Sequence, residues 1–158
     1  MMASVEERLR EHGIHLPSVP PRPIGAFANV VIHAGLAWVS GQGPVHPDGR
    51  LEMGKVGRDV SPEVARTHAR MVGLNMLAAL HGALGDLNRI ERVVKLQGLV
   101  NAVDTFRQHP FVIDGASELM LQVFGEIGVH GRTSFGVSSL PNNITVEIDG
   151  VFALRPAQ

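Results

Sequence analysis

Two residues in this chain, Arg132 and Glu147, have the type and placement to form the polar part of a small-molecule site. Arg132 follows Gly125, Gly128 and Gly131 and opens an apolar run, GRTSFGV. A guanidinium at such a place offers a planar fork that matches a carboxylate bidentately. Glu147 lies within the next apolar run, beyond a Leu140-Pro141-Asn142-Asn143 turn. A carboxylate in a strand is unfavourable unless water or a partner satisfies it. On residue type alone, a paired or exposed strand Arg and Glu remains the stronger of the two readings.

Other chemistries find less support. The chain has eight His, but none stands at His-x-x-x-His spacing, and Gly13 separates His12 from His15. Scattered loop histidines explain them better than a metal site. There is no Cys, which removes disulfides, thiolate ligands and thiol catalysis. No G-x-S-x-G occurs, and Ser138-Ser139 falls in a predicted strand. Gly41-Gln42-Gly43 lacks the further glycine and the Lys-Ser/Thr of a phosphate loop. Arg66 and Arg70 read as a solvated helix face. Net charge is −1, from 14 basic and 15 acidic residues, and the chain has six Phe, one Trp and no Tyr. Nucleic acid is therefore not implied, either by charge or by a stacking platform. The opening MMASVEERLREHG is too charged for a signal peptide, and no apolar run reaches the roughly 18 residues of a membrane span. With no secretory signal, Asn143-Ile144-Thr145 reads as turn sequence rather than a glycosylation acceptor. A cytoplasmic protein is expected.

The elements that must position Arg132 and Glu147 follow from pattern. Ser4 and Glu7 fit a capping box for a short helix ending at Gly13, with only Val5, Leu9 and Ile14 able to pack. It reads as an appendage. Pro17, Pro20, Pro21 and Pro23 then make an extended connector. Residues 1–23 form this N-terminal part, and residues 24–158 the domain proper. Phe27 to His33 and Leu36 to Ser40 read as strands around an Ala34-Gly35 turn. Gly41 to Asp59 is a Gly/Pro loop with a short edge strand near Arg50 to Met53. Ser61-Pro62-Glu63 starts a helix that runs to Leu84 and stops at Gly85. Ile90 to Ala102 is a central strand, and a second long helix spans about Phe111 to Ile127. The stretch from Gly131 to Leu154 then reads as a hairpin-like strand pair, with Val146, Ile148 and Phe152 on one face and Thr145, Glu147 and Asp149 on the other. The order is β-β-(β)-α-β-α-β-β, an α+β domain. Two helices cover one face of a mixed sheet, so the apolar residues of the other face imply an oligomer.

Val39-Ser40-Gly41-Gln42, the strand KLQGLVNAVDTF and above all GRTSFGVSSLPNNITVEI resemble the RidA/YjgF family, whose final motif is Arg-Ser/Thr, a Leu-Pro turn and Val-Glu-Ile. The resemblance runs from about Ile24 to Phe152. It implies a chorismate-mutase-like α+β fold (β-α-β-β-α-β type) and a homotrimer whose three sheets form a central barrel, with ligand clefts between subunits. It also implies cofactor-free hydrolysis of reactive enamines and imines, such as 2-aminoacrylate, to 2-keto acids and ammonia. Arg132 takes the place of the carboxylate-binding Arg, and Glu147 that of the Glu that positions or activates water. Ser40 and Gly41 fall at pocket-lining positions, and Ser134 stands where Cys is frequent. Gly25-Ala26-Phe27 replaces a Gly-Pro-Tyr segment of many deaminating members, so Phe27 lacks a hydroxyl. An iminium carbon is already electrophilic, so an oriented substrate and a placed water suffice without metal or cofactor. The alternative is a non-catalytic module binding a small carboxylate metabolite through the same Arg132. A ribonuclease or translation-inhibitor role, attached by name to some relatives, fits the neutral charge least.

Overall fold

The computed structural model describes residues 2–157. Helix α1, Val5–Glu11, carries the expected capping box: Ser4 Oγ accepts from Glu7 N at 3.2 Å, and Ser4 N donates to Glu7 Oε2 at 2.8 Å. Val5 and Ile14 are buried and Leu9 is partly so, which docks this helix on the helix His109–Phe124. The residues able to pack do pack, and the segment is part of the folded body.

Strands β1 (Val30–His33) and β2 (Leu36–Gln42) join through Ala34 and Gly35, both at positive φ, the geometry a two-residue hairpin turn demands. β1 starts later than the sequence pattern implies, leaving Phe27 in the preceding loop. β2 runs further than expected and carries a bulge between Val39 and Gln42, at Ser40 and Gly41. The predicted edge strand is reduced to isolated bridges, Leu51 with Val45 and Met53 with Ile144.

Helix α2 spans Pro62–Leu84, as its caps dictate. Ser61 Oγ accepts from Val64 N at 3.2 Å, and Gly85, at φ 77, closes the end by donating to His81 O at 2.8 Å. Strand β3 is Ile90–Asn101. Helix α3 is His109–Phe124, and a 3-10 turn, Gly125–Gly128, finishes what the sequence reads as one helix. A Cβ on Gly73 would come within 2.8 Å of Leu119, and one on Gly115 would strike the Arg66 carbonyl. These two glycines set the close approach of α2 and α3.

Strands β4 (Gly131–Val137) and β5 (Val146–Leu154) do not form the hairpin-like pair read from the sequence. The sheet order is β1-β2-β5-β3-β4, with β4 parallel to β3 and β5 antiparallel between β2 and β3. The Pro141–Asn143 connection, with Asn142 and Asn143 at positive φ, crosses the end of β3. Buried Asn101 pins that crossing, its amide donating to Asn143 Oδ1 at 2.9 Å and to Ile144 O at 3.1 Å. With Val146, Ile148, Phe152 and Leu154 all buried, β5 is suited to the middle of the sheet.

One sheet face meets the two long helices in a core that includes Phe152, Met76, Leu80, Leu96, Ile113 and Met120. The other face carries Trp38 at 48% exposure, Val31 at 53% and Phe135 at 38%. No helix among the described residues is long and apolar enough to cross a membrane.

Candidate functional site

The β3–β4 register places Leu96 beside Arg132 and Gly98 beside Ser134. Leu96 is fully buried, and a Cβ on Gly98 would collide with Ile113 of α3. Arg132 and Ser134 therefore face the helix layer. Arg132 Nη1 donates to Asp114 Oδ1 at 2.7 Å and to Ser117 Oγ at 3.0 Å, and Nη2 reaches Pro110 O at 3.4 Å. All three partners belong to α3. Ser117 Oγ lies 2.9 Å from His130 Nε2, and His130 Nδ1 lies 2.6 Å from Gly128 O. A carbonyl only accepts, so Nδ1 donates, and in the neutral ring Nε2 accepts from the Ser117 hydroxyl.

Glu147 looks the other way. It stands opposite Leu99, between inward-facing Val146 and Ile148, so its carboxylate lies on the face away from the helices. It is half-buried, and that burial, with Asp149 as a smaller contribution, pushes its carboxyl above the ordinary 4.5. Asp149 is likewise raised by burial, with Lys95 opposing. The β2 bulge brings Gly41 against Glu147, where a Cβ would stand 2.8 Å from Oε2.

Gly41 and Glu147 line a cleft of about 670 Å³. Its far wall is the proline connector, including Pro17, Pro20, Pro21 and Pro23, followed by Ile24 and Phe27. A polar ladder holds that wall to β2. Asn29 Nδ2 donates to Pro21 O at 2.7 Å, and buried Gln42 donates to Asn29 Oδ1 at 3.2 Å. From the helix side, Asn75 Nδ2 donates to Gly43 O at 3.0 Å and to Val45 O at 3.1 Å. Ser40 sits on the bulge, with its hydroxyl donating to Ala28 O at 2.6 Å.

Within one chain, then, Glu147, Gly41 and Phe27 come together in the cleft, with Ser40 next to it. Arg132 and Ser134 stand together elsewhere, on the opposite face of the same sheet. The proline stretch, read from sequence as an extended connector, is a wall of the cleft.

Sequence reasoning missed a second polar chain. His46 Nε2 donates to Glu52 Oε1 at 2.7 Å, and Glu52 Oε2 faces His68 Nε2 at 3.6 Å. His68 Nδ1 meets Thr145 Oγ1 at 2.9 Å. Thr145 thus turns toward α2 and is fully buried, rather than sharing a face with Glu147 and Asp149. Burial holds the His68 ring below its usual 6.5, while the hydrogen bond from His46 lowers Glu52. The links span α2, the Gly/Pro loop and the approach to β5, so no local pattern announces them. Asp114 and Ser117 lie 18 and 15 residues before Arg132, on α3, so no local pattern pairs them with it. Among the described residues no group of three or more His, Asp or Glu is arranged to hold a metal ion.

Residues 6–153 match the family described as "YjgF/chorismate_mutase-like, putative endoribonuclease". Protein TCP17 of Trypanosoma cruzi is 36% identical over 152 residues, covering 96% of this chain and 94% of that protein. The crystal structure of protein Atu1372 from Agrobacterium tumefaciens superposes with a TM-score of 0.86 at 40% identity, over 96% of this chain and 94% of that one. A structure from Shewanella oneidensis MR-1, named as a "putative endoribonuclease", gives 0.90 at 31% identity, over 96% of this chain and all of its own. The mixed five-stranded sheet with its helices is the α+β arrangement of these neighbours.

Proposed function

The chain belongs to the YjgF/chorismate mutase-like family, which supports a role in processing small molecules, and from that premise we propose that it hydrolyses reactive 2-imino and 2-enamino acids to 2-keto acids and ammonia. The observation that carries this reading is Glu147. Its carboxylate is desolvated against Gly41 at a cleft lined largely by apolar side chains, and its raised pKa makes it a better base for a bound water. Water held there adds to the iminium carbon, the C–N bond of the resulting carbinolamine breaks, and the nitrogen leaves as ammonia. No cofactor is required for these steps.

Arg132 supplies the carboxylate anchor, and it comes from a second copy of the chain. The two residues lie on opposite faces of one sheet, so a single protomer does not join them around a three-carbon acid. The exposed Trp38, Val31 and Phe135 face gives a homotrimer its packing surface, with a composite cleft at each junction. Glu147 and Asp48 on the cleft lining outnumber its one Arg, Arg22, which argues against a phosphodiester ligand.

A non-catalytic carboxylate-binding role is favoured by one feature: Phe27 brings only an apolar ring to the cleft. The two readings separate when 2-iminopropionate is generated in situ and its decay followed. Acceleration by the wild-type protein, lost in Arg132→Ala, supports hydrolysis. Decay no faster than in buffer overturns it, and binding of a small acid that Arg132→Ala loses then favours the second reading.

A further inference from the structure

The cleft beside Glu147 is much larger than a three-carbon acid needs. Its volume of about 670 Å³ lies in the range that encloses a ligand of drug size. The proline connector forms its far wall, and three large apolar side chains on that wall are left uncovered. Ile24 is 75% exposed, Val19 73% and Phe27 48%. Apolar side chains gathered on a concave surface mark a binding groove rather than ordinary surface scatter.

The polar side chains around the cleft are already spent within the protein. Asn29 holds Pro21 O, and Gln42 holds Asn29. Asn75 holds the carbonyls of Gly43 and Val45. His46 is bonded to Glu52, and Asp48 Oδ1 accepts from Arg50 N at 2.9 Å. These groups build the walls and offer little to a polar arm of a ligand. The prolines fix φ along the connector, and the Asn29 bond ties it to the sheet, so the apolar wall is formed before a ligand arrives.

We infer that the connector wall is a specificity element that seats a large apolar substituent, so that the cleft selects the imino acids of branched or aromatic amino acids over 2-iminopropionate. The inference rests on the proposed hydrolysis at Glu147 and names its substrate class. Gly41 and Glu147 line the same cleft as Val19, Ile24 and Phe27, so a ligand whose iminium carbon meets the water at Glu147 extends its side chain along the wall. Hydration of that carbon is the same chemistry for every side chain. The wall therefore adds binding and acts on KM more than on kcat.

The experiment uses the full chain and imines made in situ by a D-amino-acid oxidase from D-alanine, D-leucine, D-phenylalanine and D-asparagine, since the imine no longer carries the stereocentre. The leucine and phenylalanine imines should exceed 2-iminopropionate in kcat/KM by at least about tenfold, chiefly through KM. The asparagine imine, close to the leucine imine in size but polar, should gain less than about threefold. Val19→Ser with Ile24→Ser alters two exposed positions, so the fold is kept, and the leucine-to-alanine ratio should drop to within about threefold. A flat wild-type ratio, an asparagine imine that gains as much as the leucine imine, or a ratio untouched by the double variant overturns the inference. Hydrolysis with a flat ratio leaves the proposed reaction standing and the apolar wall to be covered by another copy of the chain. Where no imine decays faster than in buffer, the proposed reaction fails and binding decides. In an NMR titration 4-methyl-2-oxopentanoate should then bind at least about tenfold more tightly than pyruvate, and equal affinities or no binding overturn the inference.

Discussion

Gly41 and Glu147 are in such close contact that a single added methyl group has nowhere to sit: a Cβ on Gly41 would stand 2.8 Å from Glu147 Oε2 and 3.0 Å from its Cδ. The atoms it meets are the far end of a flexible side chain, and Gly41 is not among the positive-φ glycines. Gly41→Ala should therefore cost little stability, within about 1 kcal/mol, while rotating the carboxylate out of place. Turnover of 2-iminopropionate is expected to fall at least about tenfold with only a small shift of the urea midpoint. A fully active Gly41→Ala would remove Glu147 from the chemistry.

The same carboxylate sets a pH signature. Burial, and secondarily Asp149, raise Glu147 above its ordinary 4.5, so the folded protein holds the proton more tightly than the unfolded chain. Stability from this group is fully present below 4.5 and is lost as pH rises through the raised value. Asp149, also raised and opposed by Lys95, acts in the same sense. Glu147→Gln should melt higher than wild type near pH 8, by up to about a few degrees, and the gap should close near pH 4. A gap that widens on acidification contradicts the assignment.

His68 runs the other way. Its folded pKa is depressed by burial, so its contribution is present above 6.5 and is lost as pH falls through the lowered value. Thr145→Val removes the hydroxyl 2.9 Å from His68 Nδ1 and leaves a buried ring nitrogen without its partner. The expected loss is about 1–3 kcal/mol in urea unfolding at pH 7.5. A change within a few tenths of a kcal/mol would show the contact to be dispensable.

Trp38 tests the uncovered sheet face. Trp38→Asp places a charge where the account puts a subunit interface, at a side chain 48% exposed in the single chain. Sedimentation should find the wild type at about three times the 17.0 kDa chain mass and the variant at about one. A wild-type monomer removes the composite site.

The sequence discloses elements well where local chemistry decides them. Ser61, Pro62 and Gly85 bound α2 through a hydroxyl acceptor, a fixed φ and a left-handed residue, all readable from residue type. The alternation of Val146, Ile148 and Phe152 assigns a buried face to β5. Strand order was not readable in the same way. A short Leu-Pro-Asn-Asn link suits either a hairpin or a crossing, and the choice is made by Asn101, more than 40 residues upstream of its Asn143 and Ile144 partners. Of the candidate site the sequence singles out two residues, Arg132 and Glu147, and the family resemblance gives each an expected role. Their separation by the sheet, the proline wall and the hold of Asp114 on Arg132 are products of tertiary contact.

The most direct test of a composite imine-hydrolysing site is a mixing measurement. Arg132→Ala and Glu147→Gln chains are unfolded together in equal amounts, refolded, and assayed for 2-iminopropionate decay beside each parent. Each variant alone should be at least about a hundredfold slower than wild type. Random assembly restores one native Arg132 opposite one native Glu147 in half times half of the junctions, so the mixture should recover about a quarter of wild-type turnover. A mixture as silent as its parents, or a wild-type protein no faster than buffer, would contradict the account.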